Sequence, residues 1–423
     1  NEVSINSMKL AVLIGLVVLV TTVVSLSKSD GEAKIREQQD ELKKEVKERK
    51  KKKEEEHKTI GLAMRNAGSE PLEFRPRALT KASILEDHEE TFEGEKKYPD
   101  MPTMAYITPW NNAGYDRAVR VAARLSIVAP VWLQLKPEPE DGRQCRITGT
   151  HDIDQGWIER LRTANPKLKI LPRLIVEEFS PDQLKDLFTS DTASANCIRK
   201  VIDLLESAGM DGVVLEAWLP VLRAAHQASF DVSDAIETFA SWGKALHGKN
   251  KMVVLPIPPP VDANMNLMQS VWDDSYWDLL GDSIDYVQIM THDYYPMSQG
   301  TTVFPQAPVR WVEQNLRAVI GRHGEHANRV LLGLYHYGFK TDFSQQKQGA
   351  VMAKGFLETL DNEEAELEWE PEFQEHFVRL GKMQMFFPTL PSLEIRTRMA
   401  HEYGSGISIW DLGQGLEYFS RVL

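Results

Sequence analysis

Two carboxylates stand in one short, otherwise mostly apolar run, Gly209–Pro220. Asp211 lies near its start, Glu216 follows five residues later, and Trp218 comes two residues after Glu216. A carboxyl group held in place can donate or accept a proton in a reaction. An indole ring offers only a hydrogen bond from its nitrogen. The end of this run therefore holds one candidate for proton transfer, Glu216, beside a residue without that capacity, Trp218.

The same run predicts a β-strand, Gly212–Ala217. Because alternate side chains of a strand share a face, we expect Val214, Glu216 and Trp218 to point the same way. Glu216 would then lie about 6.6 Å deeper than Trp218 along the strand, whereas proton transfer requires heavy atoms about 2.6 to 3.2 Å apart. Two interpretations of Glu216 stay open. It is either a buried, hydrogen-bonded carboxylate of the barrel floor or a direct contact to a ligand's amide.

Short apolar runs rich in β-branched residues alternate with amphipathic segments through the C-terminal three quarters of the chain. Eight runs in alternation with helices predict an α/β fold, a (β/α)8 TIM barrel. Ala195–Glu206 and Asp234–His247 show the pattern of its covering helices. The long gap before the eighth run predicts a small α+β insertion after the seventh strand, at about residues 341–387. The predicted strands are Met104–Thr108, Ile127–Leu135, Leu168–Ile175, Gly212–Ala217, Met252–Ile257, Tyr286–Thr291, Val330–Leu334 and Ile407–Trp410.

Ligands of such barrels bind at the C-terminal ends of the strands, which makes the residues there the binding candidates. Pyranose rings stack their C–H faces on aromatic rings while their hydroxyls need polar partners, so tryptophans beside a carboxylate suit a saccharide. An unperturbed His292 at this rim would titrate near pH 6.5, but we expect a hydrogen-bonded structural histidine at this position. No metal-ligand spacing, phosphate loop or nucleophile elbow occurs, so we predict no metal and no cofactor. The predicted ligand-binding residues are Trp110, Trp132, Glu216, Trp218, Asp293, Tyr294 and Trp410.

These motifs resemble those of glycoside hydrolase family 18 from about Met104 to the C-terminus. The family's fourth strand reads D-G-x-D-x-D-x-E, and Asp211, Gly212 and Glu216 fit this frame, with Glu216 in the place of the last Asp. Val214 replaces the middle Asp, and Trp218 replaces the Glu that protonates the glycosidic oxygen.

The later strands extend the resemblance. His292-Asp293 stands where the family has Tyr-Asp, the run 333–338 resembles its G-x-P-x-Y-G without the proline, and Trp410 matches the tryptophan under the sugar at the cleavage site.

The resemblance implies a secreted or lysosomal lectin of innate immunity that binds chitin-type oligosaccharides, and lipopolysaccharide as a further ligand, without hydrolysis and with no catalytic residue. Two alternatives stay open. One is a hydrolase that uses Glu216, Glu177 or Glu178 as its acid. The other is a scaffold for a scavenger-receptor-type protein partner, whose aromatic groove residues could be changed without loss.

The net charge, the N-terminal segment and the cysteines limit which other functions and locations are possible. A net charge of −13 and a pI near 5.4 argue against a nucleic-acid partner held through its phosphates. Met8-Lys9 and the apolar run Leu10–Val24 predict a signal peptide within residues 1–29; the alternative is an uncleaved membrane anchor. We expect cleavage and no membrane association of the mature chain. Residues 30–100 are predicted as a charged stalk and irregular segment, and 101–423 as the barrel. Cys145 and Cys197 are either paired or free.

Overall fold

The computed structural model describes residues 79–92, 94–140, 142, 144–294, 305–321 and 324–423. The predicted signal peptide and residues 30–78 of the predicted stalk segment lie outside the described residues. Within the described part of the chain, no helix has the length and apolarity that a membrane span requires.

An eleven-stranded sheet confirms the predicted barrel. The strands that run in parallel follow the chain order of a (β/α)8 fold, and each buries most of its residues between the barrel interior and the outer helices. The sheet strands are β1 Thr103–Ile107, β2 Ile127–Pro130, β3 Leu133–Pro137, β4 Cys145–Thr148, β5 Lys169–Ile170, β6 Arg173–Val176, β7 Gly212–Glu216, β8 Met252–Ile257, β9 Tyr286–Ile289, β10 Val330–Tyr335 and β16 Gly406–Trp410.

The second and third barrel strands are each broken in two, so the prediction that they run continuously is wrong. β2 and β3 are the halves of strand two, and β5 and β6 are the halves of strand three; the pairs β2·β5 and β3·β6 close the ring. Pro172 stands in the second break and has no N–H to donate to a ladder. In the first break, the Trp132 N–H turns back to the carbonyl of Pro130 at 3.1 Å.

Amphipathic helices cover the barrel. The predicted helices Ala195–Glu206 and Asp234–His247 are confirmed, since they fall within α5 and α7. The helices are α1 Lys81–Asp87, α2 Ala113–Arg120, α3 Gln155–Ala164, α4 Pro181–Thr189, α5 Asp191–Ser207, α6 Trp218–Ala228, α7 Val232–His247, α8 Ser275–Leu280, α9 Val309–Ile320, α10 Ala353–Leu360 and α11 Leu390–Glu402.

Between β10 and α11 the chain forms a second, antiparallel sheet. Its five strands are β11 Gly338–Asp342, β12 Lys347–Val351, β13 Glu366–Glu370, β14 Glu375–Leu380 and β15 Met383–Phe386, in the order β12-β11-β15-β14-β13. Glu375, at the start of β14, is buried and accepts hydrogen bonds from the backbone N–H groups of Gln306 and Ala307 and from the Tyr335 hydroxyl. The sheet is thereby fastened to the end of β10.

Cys145 and Cys197 form a disulfide that joins β4 to α5 across 52 residues of sequence. The Lys200 ammonium group also donates to the Cys145 carbonyl at 2.6 Å. The crosslink therefore holds the β3–β4 hairpin against the outer helix, where a two-stranded extension alone is only marginally stable.

Replacing both cysteines by serine is expected to lower the free energy of unfolding by about 2 to 4 kcal/mol, because a loop of this length is no longer closed in the unfolded chain. Guanidinium denaturation with and without dithiothreitol measures the effect. The reductant should destabilise the wild type and leave the double variant unchanged. Equal stability of the two proteins in oxidising buffer would contradict the expectation.

Candidate functional site

Strand alternation directs Val214 and Glu216 into the barrel, as the sequence predicts. Val214 is fully buried and packs in the interior cluster with Met104 and Leu331. Glu216, the last residue of β7, lies one layer higher and keeps 21% of its side chain exposed. It is therefore at the mouth of the barrel, at the C-terminal end of the strands.

Trp218 does not share this face, and that prediction is wrong. The strand ends at Glu216, and Trp218 is the first residue of α6, so the period of 2 no longer sets its direction. Its side chain is 1% exposed and packs against Phe239 and Trp272, and its indole N–H donates to the carbonyl of Val271 at 2.9 Å. Trp218 belongs to the packing beneath the helices and presents no surface to a ligand.

Arg173 is the partner of Glu216, and the sequence prediction missed it. Its Nε and Nη2 donate to the two carboxylate oxygens of Glu216 at 2.6 and 2.8 Å. The two residues lie on neighbouring strands, β6 and β7, where Arg173 is in register with Val214, so its side chain reaches up to Glu216 two residues further along β7. A bidentate guanidinium–carboxylate pair is among the stronger ion pairs in proteins. Both carboxylate oxygens of Glu216 accept a hydrogen bond from Arg173.

Trp410 lies beside this pair at the end of β16. The Arg173 guanidinium is 6.0 Å from the centre of the Trp410 ring, and the Tyr106 ring contacts the indole edge-on at 5.1 Å. Tyr106 in turn donates its hydroxyl to Gln288 Oε1 at 2.9 Å. Burial, and then the Glu216 charge, raise the pKa of Tyr106 well above its ordinary value, so the hydroxyl remains a donor. The indole is thus held in a fixed orientation while part of it stays accessible.

Trp110 stands on the loop after β1 with 66% of its surface exposed. The loop is anchored to the loop after β16, because Thr108 and Asn111 both donate to the buried Asp411 carboxylate, at 2.7 and 3.3 Å. The backbone N–H of Gly413 donates to the same group at 2.8 Å. Since Asp411 follows Trp410 directly, Trp110 and Trp410 belong to one rim.

The loop after β9 contributes Asp293 and Tyr294. Asp293 is exposed and accepts hydrogen bonds from the Tyr337 hydroxyl and, at 3.1 Å, from the Gln306 amide. Tyr294 donates to the carbonyl of Ala263 at 2.9 Å. Both side chains are fixed by neighbouring loops at the mouth of the barrel.

Trp132 lies elsewhere, so the structure corrects its assignment to the groove. It is fully buried, its indole N–H donates to the Tyr115 hydroxyl at 2.8 Å, and its ring packs against Trp157. The strand break after Pro130 leaves Trp132 on the outer side of the barrel, beneath α2 and α3.

The other two acid candidates, Glu177 and Glu178, are also paired. The Lys136 ammonium group lies 3.2 Å from Glu177 and 2.6 Å from Glu178. Across the described ranges, no group of three or more His, Cys, Asp or Glu side chains has the arrangement of a metal site. What the mouth does offer is an aromatic face, Trp410, beside a paired cation and anion and fixed polar groups. This arrangement can bind a polar ring compound.

His292 is buried against Gln288 with its Nδ1 lacking a hydrogen-bond partner, so it is not the solvent-exposed titrating group of the rim. Burial lowers its pKa to about 4 from the ordinary 6.5, although Asp293 and Glu216 act in the opposite direction. Burial also lowers the pKa of His336 to about 3 and that of His376 to about 4.

Stability is therefore expected to fall in acid. The unfolded chain takes up protons on these histidines below about pH 6.5, while the folded chain does not. Their contribution to the free energy of unfolding is therefore complete above pH 6.5. It should decrease toward pH 4 by about 1.4 kcal/mol per pH unit for each histidine. Burial raises the pKa of Glu375 and of Asp411, which acts in the opposite sense as these carboxyls protonate.

Denaturant unfolding at pH 7, 6 and 5 measures this slope. His336→Phe should flatten it, while His151→Gln, at a ring with 83% of its side chain exposed, should leave it as in the wild type. A free energy of unfolding that stays constant from pH 7 to 5 would contradict the prediction.

Comparisons with known proteins agree with this architecture. The model of the family described as glycosyl hydrolases family 18 matches residues 102–415. A chitinase from Chromobacterium violaceum is 18% identical, with 76% of this chain and 97% of that chain covered and a TM-score of 0.61. A class V chitinase from Nicotiana tobaccum is 14% identical, with 76% and 97% covered and a TM-score of 0.62.

One further solved structure is similar in fold. Human YKL-39, described as a pseudo-chitinase with retained chitooligosaccharide binding properties, is 14% identical, with 76% of this chain and 98% of that chain covered and a TM-score of 0.60. At such identities, the likeness is one of fold.

Proposed function

The chain belongs to glycosyl hydrolase family 18, and from that premise we propose that it is a lectin that binds chitin-type oligosaccharides without hydrolysing them. Both active chitinases and a pseudo-chitinase share its fold. The fold therefore does not decide whether this chain hydrolyses the sugar or only binds it. Its own residues at the mouth of the barrel do.

The observation that carries the proposal is the placement of Trp410 beside the Arg173–Glu216 pair. The half-exposed indole gives a flat apolar surface on which a pyranose C–H face can stack. Asp293 and the Arg173–Glu216 pair supply fixed polar atoms for hydroxyl and amide groups. Trp110, on the same rim, provides a second exposed aromatic ring.

The pairing of the carboxylates supports the proposed absence of hydrolysis. Protonation of a glycosidic oxygen requires a carboxylic acid within hydrogen-bond distance of that oxygen. Trp218 replaces the family's acid and is itself turned away beneath the helices. Glu216 accepts both of its hydrogen bonds from Arg173, and Glu177 and Glu178 are paired with Lys136. Each candidate acid is thus engaged as an acceptor by a cation.

Calorimetric titration with the N-acetylglucosamine tetramer tests the binding half of the proposal. We expect saturable binding to the wild type. Its absence at millimolar sugar would contradict the lectin function and leave the barrel as a scaffold for a scavenger-receptor-type partner.

Within the family we propose membership of the subgroup of chitinase domain-containing protein 1, which the motifs at 108–116 and 406–419 resemble. The proposal extends to a secreted or lysosomal location, to a role in innate immunity and to lipopolysaccharide as a second ligand. The Cys145–Cys197 disulfide supports an oxidising compartment.

A further inference from the structure

Gln306 lies behind the mouth of the barrel, in the short segment that precedes α9. Only 3% of the residue is exposed, yet its Nε2 donates to the Asp293 carboxylate and to the carbonyl of His292, both at 3.1 Å. Both neighbours are acceptors, so the amide nitrogen and not the amide oxygen must face them. Oε1 is buried and has no hydrogen-bond partner among the described residues. The two donated bonds are therefore what holds this side chain in place.

These bonds fix the backbone and the side chain of the loop after β9 together. A second donor, the Tyr337 hydroxyl, reaches the same oxygen of Asp293, Oδ1, from the connection between β10 and β11. Two donors from different segments leave the carboxylate little freedom to rotate. Its other oxygen, Oδ2, accepts no hydrogen bond from the part of the chain that the structure describes, and Asp293 is exposed. Oδ2 is therefore the atom available to a ligand.

The backbone of Gln306 is held by the insertion. The buried Glu375 carboxylate, at the start of β14, accepts the N–H of Gln306 on Oε2 and that of Ala307 on Oε1, both at 3.1 Å. The turn before β14 adds a bond from the Val309 N–H to the carbonyl of Phe373 at 3.0 Å. A buried carboxylate binds N–H groups strongly, because the local dielectric is low. Gln306 is thus fixed from the insertion, while its amide reaches the loop after β9.

A buried cation holds Glu375 in turn. The Arg396 guanidinium of α11 lies 3.6 Å from the Glu375 carboxylate, with 1% and 2% of the two side chains exposed. Arg396 also donates to the carbonyls of Phe373 and Gln374, at 3.2 and 3.1 Å, in the turn before β14. Replacing a buried ion pair by apolar side chains of similar volume is often neutral for stability. What this pair adds is a defined position for the acceptor oxygens of Glu375.

We propose that Gln306 is a positioning residue of the sugar site and that Glu375 holds it, so that the insertion sets the direction of the Asp293 carboxylate. Neither Gln306 nor Glu375 is exposed at the mouth, and each acts through Asp293. The inference rests on the oligosaccharide function proposed above, in which Oδ2 of Asp293 accepts a hydrogen bond from a hydroxyl or amide group of the sugar. A carboxylate that can rotate loses part of that bond.

A double-mutant cycle, measured by calorimetric titration of the full chain with the N-acetylglucosamine tetramer, tests the proposal. Gln306→Met keeps most of the volume and removes only the two donated bonds of the side chain. We expect it to weaken binding at least about fivefold, and Asp293→Ala to weaken binding at least as much. In the Asp293→Ala background, Gln306→Met should have no further effect, because it acts only through that carboxylate. Losses that multiply in the double variant would overturn the proposal.

Two variants around Glu375 separate position from stability. Glu375→Gln puts an NH₂ group, which cannot accept a hydrogen bond, on the carboxylate and should weaken sugar binding. Tyr335→Phe removes the phenol donor from the same carboxylate but leaves both backbone bonds, so it should lower the thermal midpoint and keep the affinity. A loss of affinity in Tyr335→Phe as large as that in Glu375→Gln would reject a positioning role for Glu375. If Glu375→Gln does not fold, the cycle at Gln306 decides.

The Trp410→Ala variant separates this inference from the function on which it rests. We expect Trp410→Ala and Gln306→Met each to weaken binding of the tetramer. No binding by the wild type would overturn both proposals. Binding that Trp410→Ala weakens but Gln306→Met leaves unchanged, with the thermal midpoint of the second variant preserved, would overturn the positioning role alone.

Discussion

Replacing Arg173 by methionine is expected to lower the free energy of unfolding by about 2 to 4 kcal/mol. The substitution keeps most of the volume of the side chain but leaves the Glu216 carboxylate at the mouth of the barrel without its cation, and removing one partner of a buried pair is costly. We place the loss below that of a fully buried pair, because 16% of the Arg173 side chain and 21% of the Glu216 side chain are exposed. Urea unfolding measures the change.

Two further variants show whether the lost charge partner is the cause. Arg173→Met combined with Glu216→Met should recover most of the stability, since two apolar side chains of similar size replace the pair. Arg379→Met breaks the ion pair to Glu368, a 2.7 Å contact on exposed strands of the insertion, and should cost at most about 1 kcal/mol. Equal losses for Arg173→Met and Arg379→Met would contradict the assigned role.

Replacing Trp410 by alanine is expected to weaken binding of the N-acetylglucosamine tetramer by about 30-fold, which corresponds to about 2 kcal/mol. The indole is the aromatic face next to the Arg173–Glu216 pair, and alanine removes the surface on which a pyranose ring can stack. Trp410→Phe should retain part of the affinity because a smaller aromatic face remains. Isothermal titration measures the three dissociation constants.

Phe92 supplies a matched control for this substitution. It is an exposed aromatic residue, 40% accessible, and it contacts Arg124 just before β2, at the N-terminal end of the barrel and away from the proposed groove. Phe92→Ala should leave sugar binding unchanged. An unaltered affinity of Trp410→Ala, with the thermal midpoint preserved, would remove Trp410 from the binding site.

Hydrophobic patterning was sufficient to predict the barrel, because each strand buried on both faces appears as a short continuous apolar run between amphipathic helices. It failed at the two strand breaks. Ile127–Leu135 and Leu168–Ile175 remain apolar through their breaks, so the periodicity carries no sign of the interruption. Pro130 and Pro172 were the available signals, since proline is rare inside a central strand.

The predicted direction of the Trp218 side chain was wrong because the strand period of 2 was extended beyond the end of the strand. A period of 2 gives the direction of a side chain only while the strand continues, and here the helix begins two residues after Glu216. The run from Trp218 to Ala228 contains helix-forming Leu and Ala residues, with proline at the third helical position, where its missing N–H is least costly.

Arg173 could have been identified as a site residue from the sequence. It is a charged residue in the apolar run Leu171–Val176, and buried charges are found in pairs. Asking which cation balances a half-buried Glu216 would have directed attention to it. The bidentate geometry and the contact with Trp410, in contrast, depend on the register between β6 and β7, which no pattern within a single strand reveals.

The most direct test of the central claim is to incubate the purified chain with the N-acetylglucosamine hexamer and to separate the products by chromatography with mass detection. We expect the hexamer to stay intact while calorimetry shows saturable binding. Release of shorter oligomers by the wild type, abolished in Glu216→Gln, would contradict the account and establish a hydrolase.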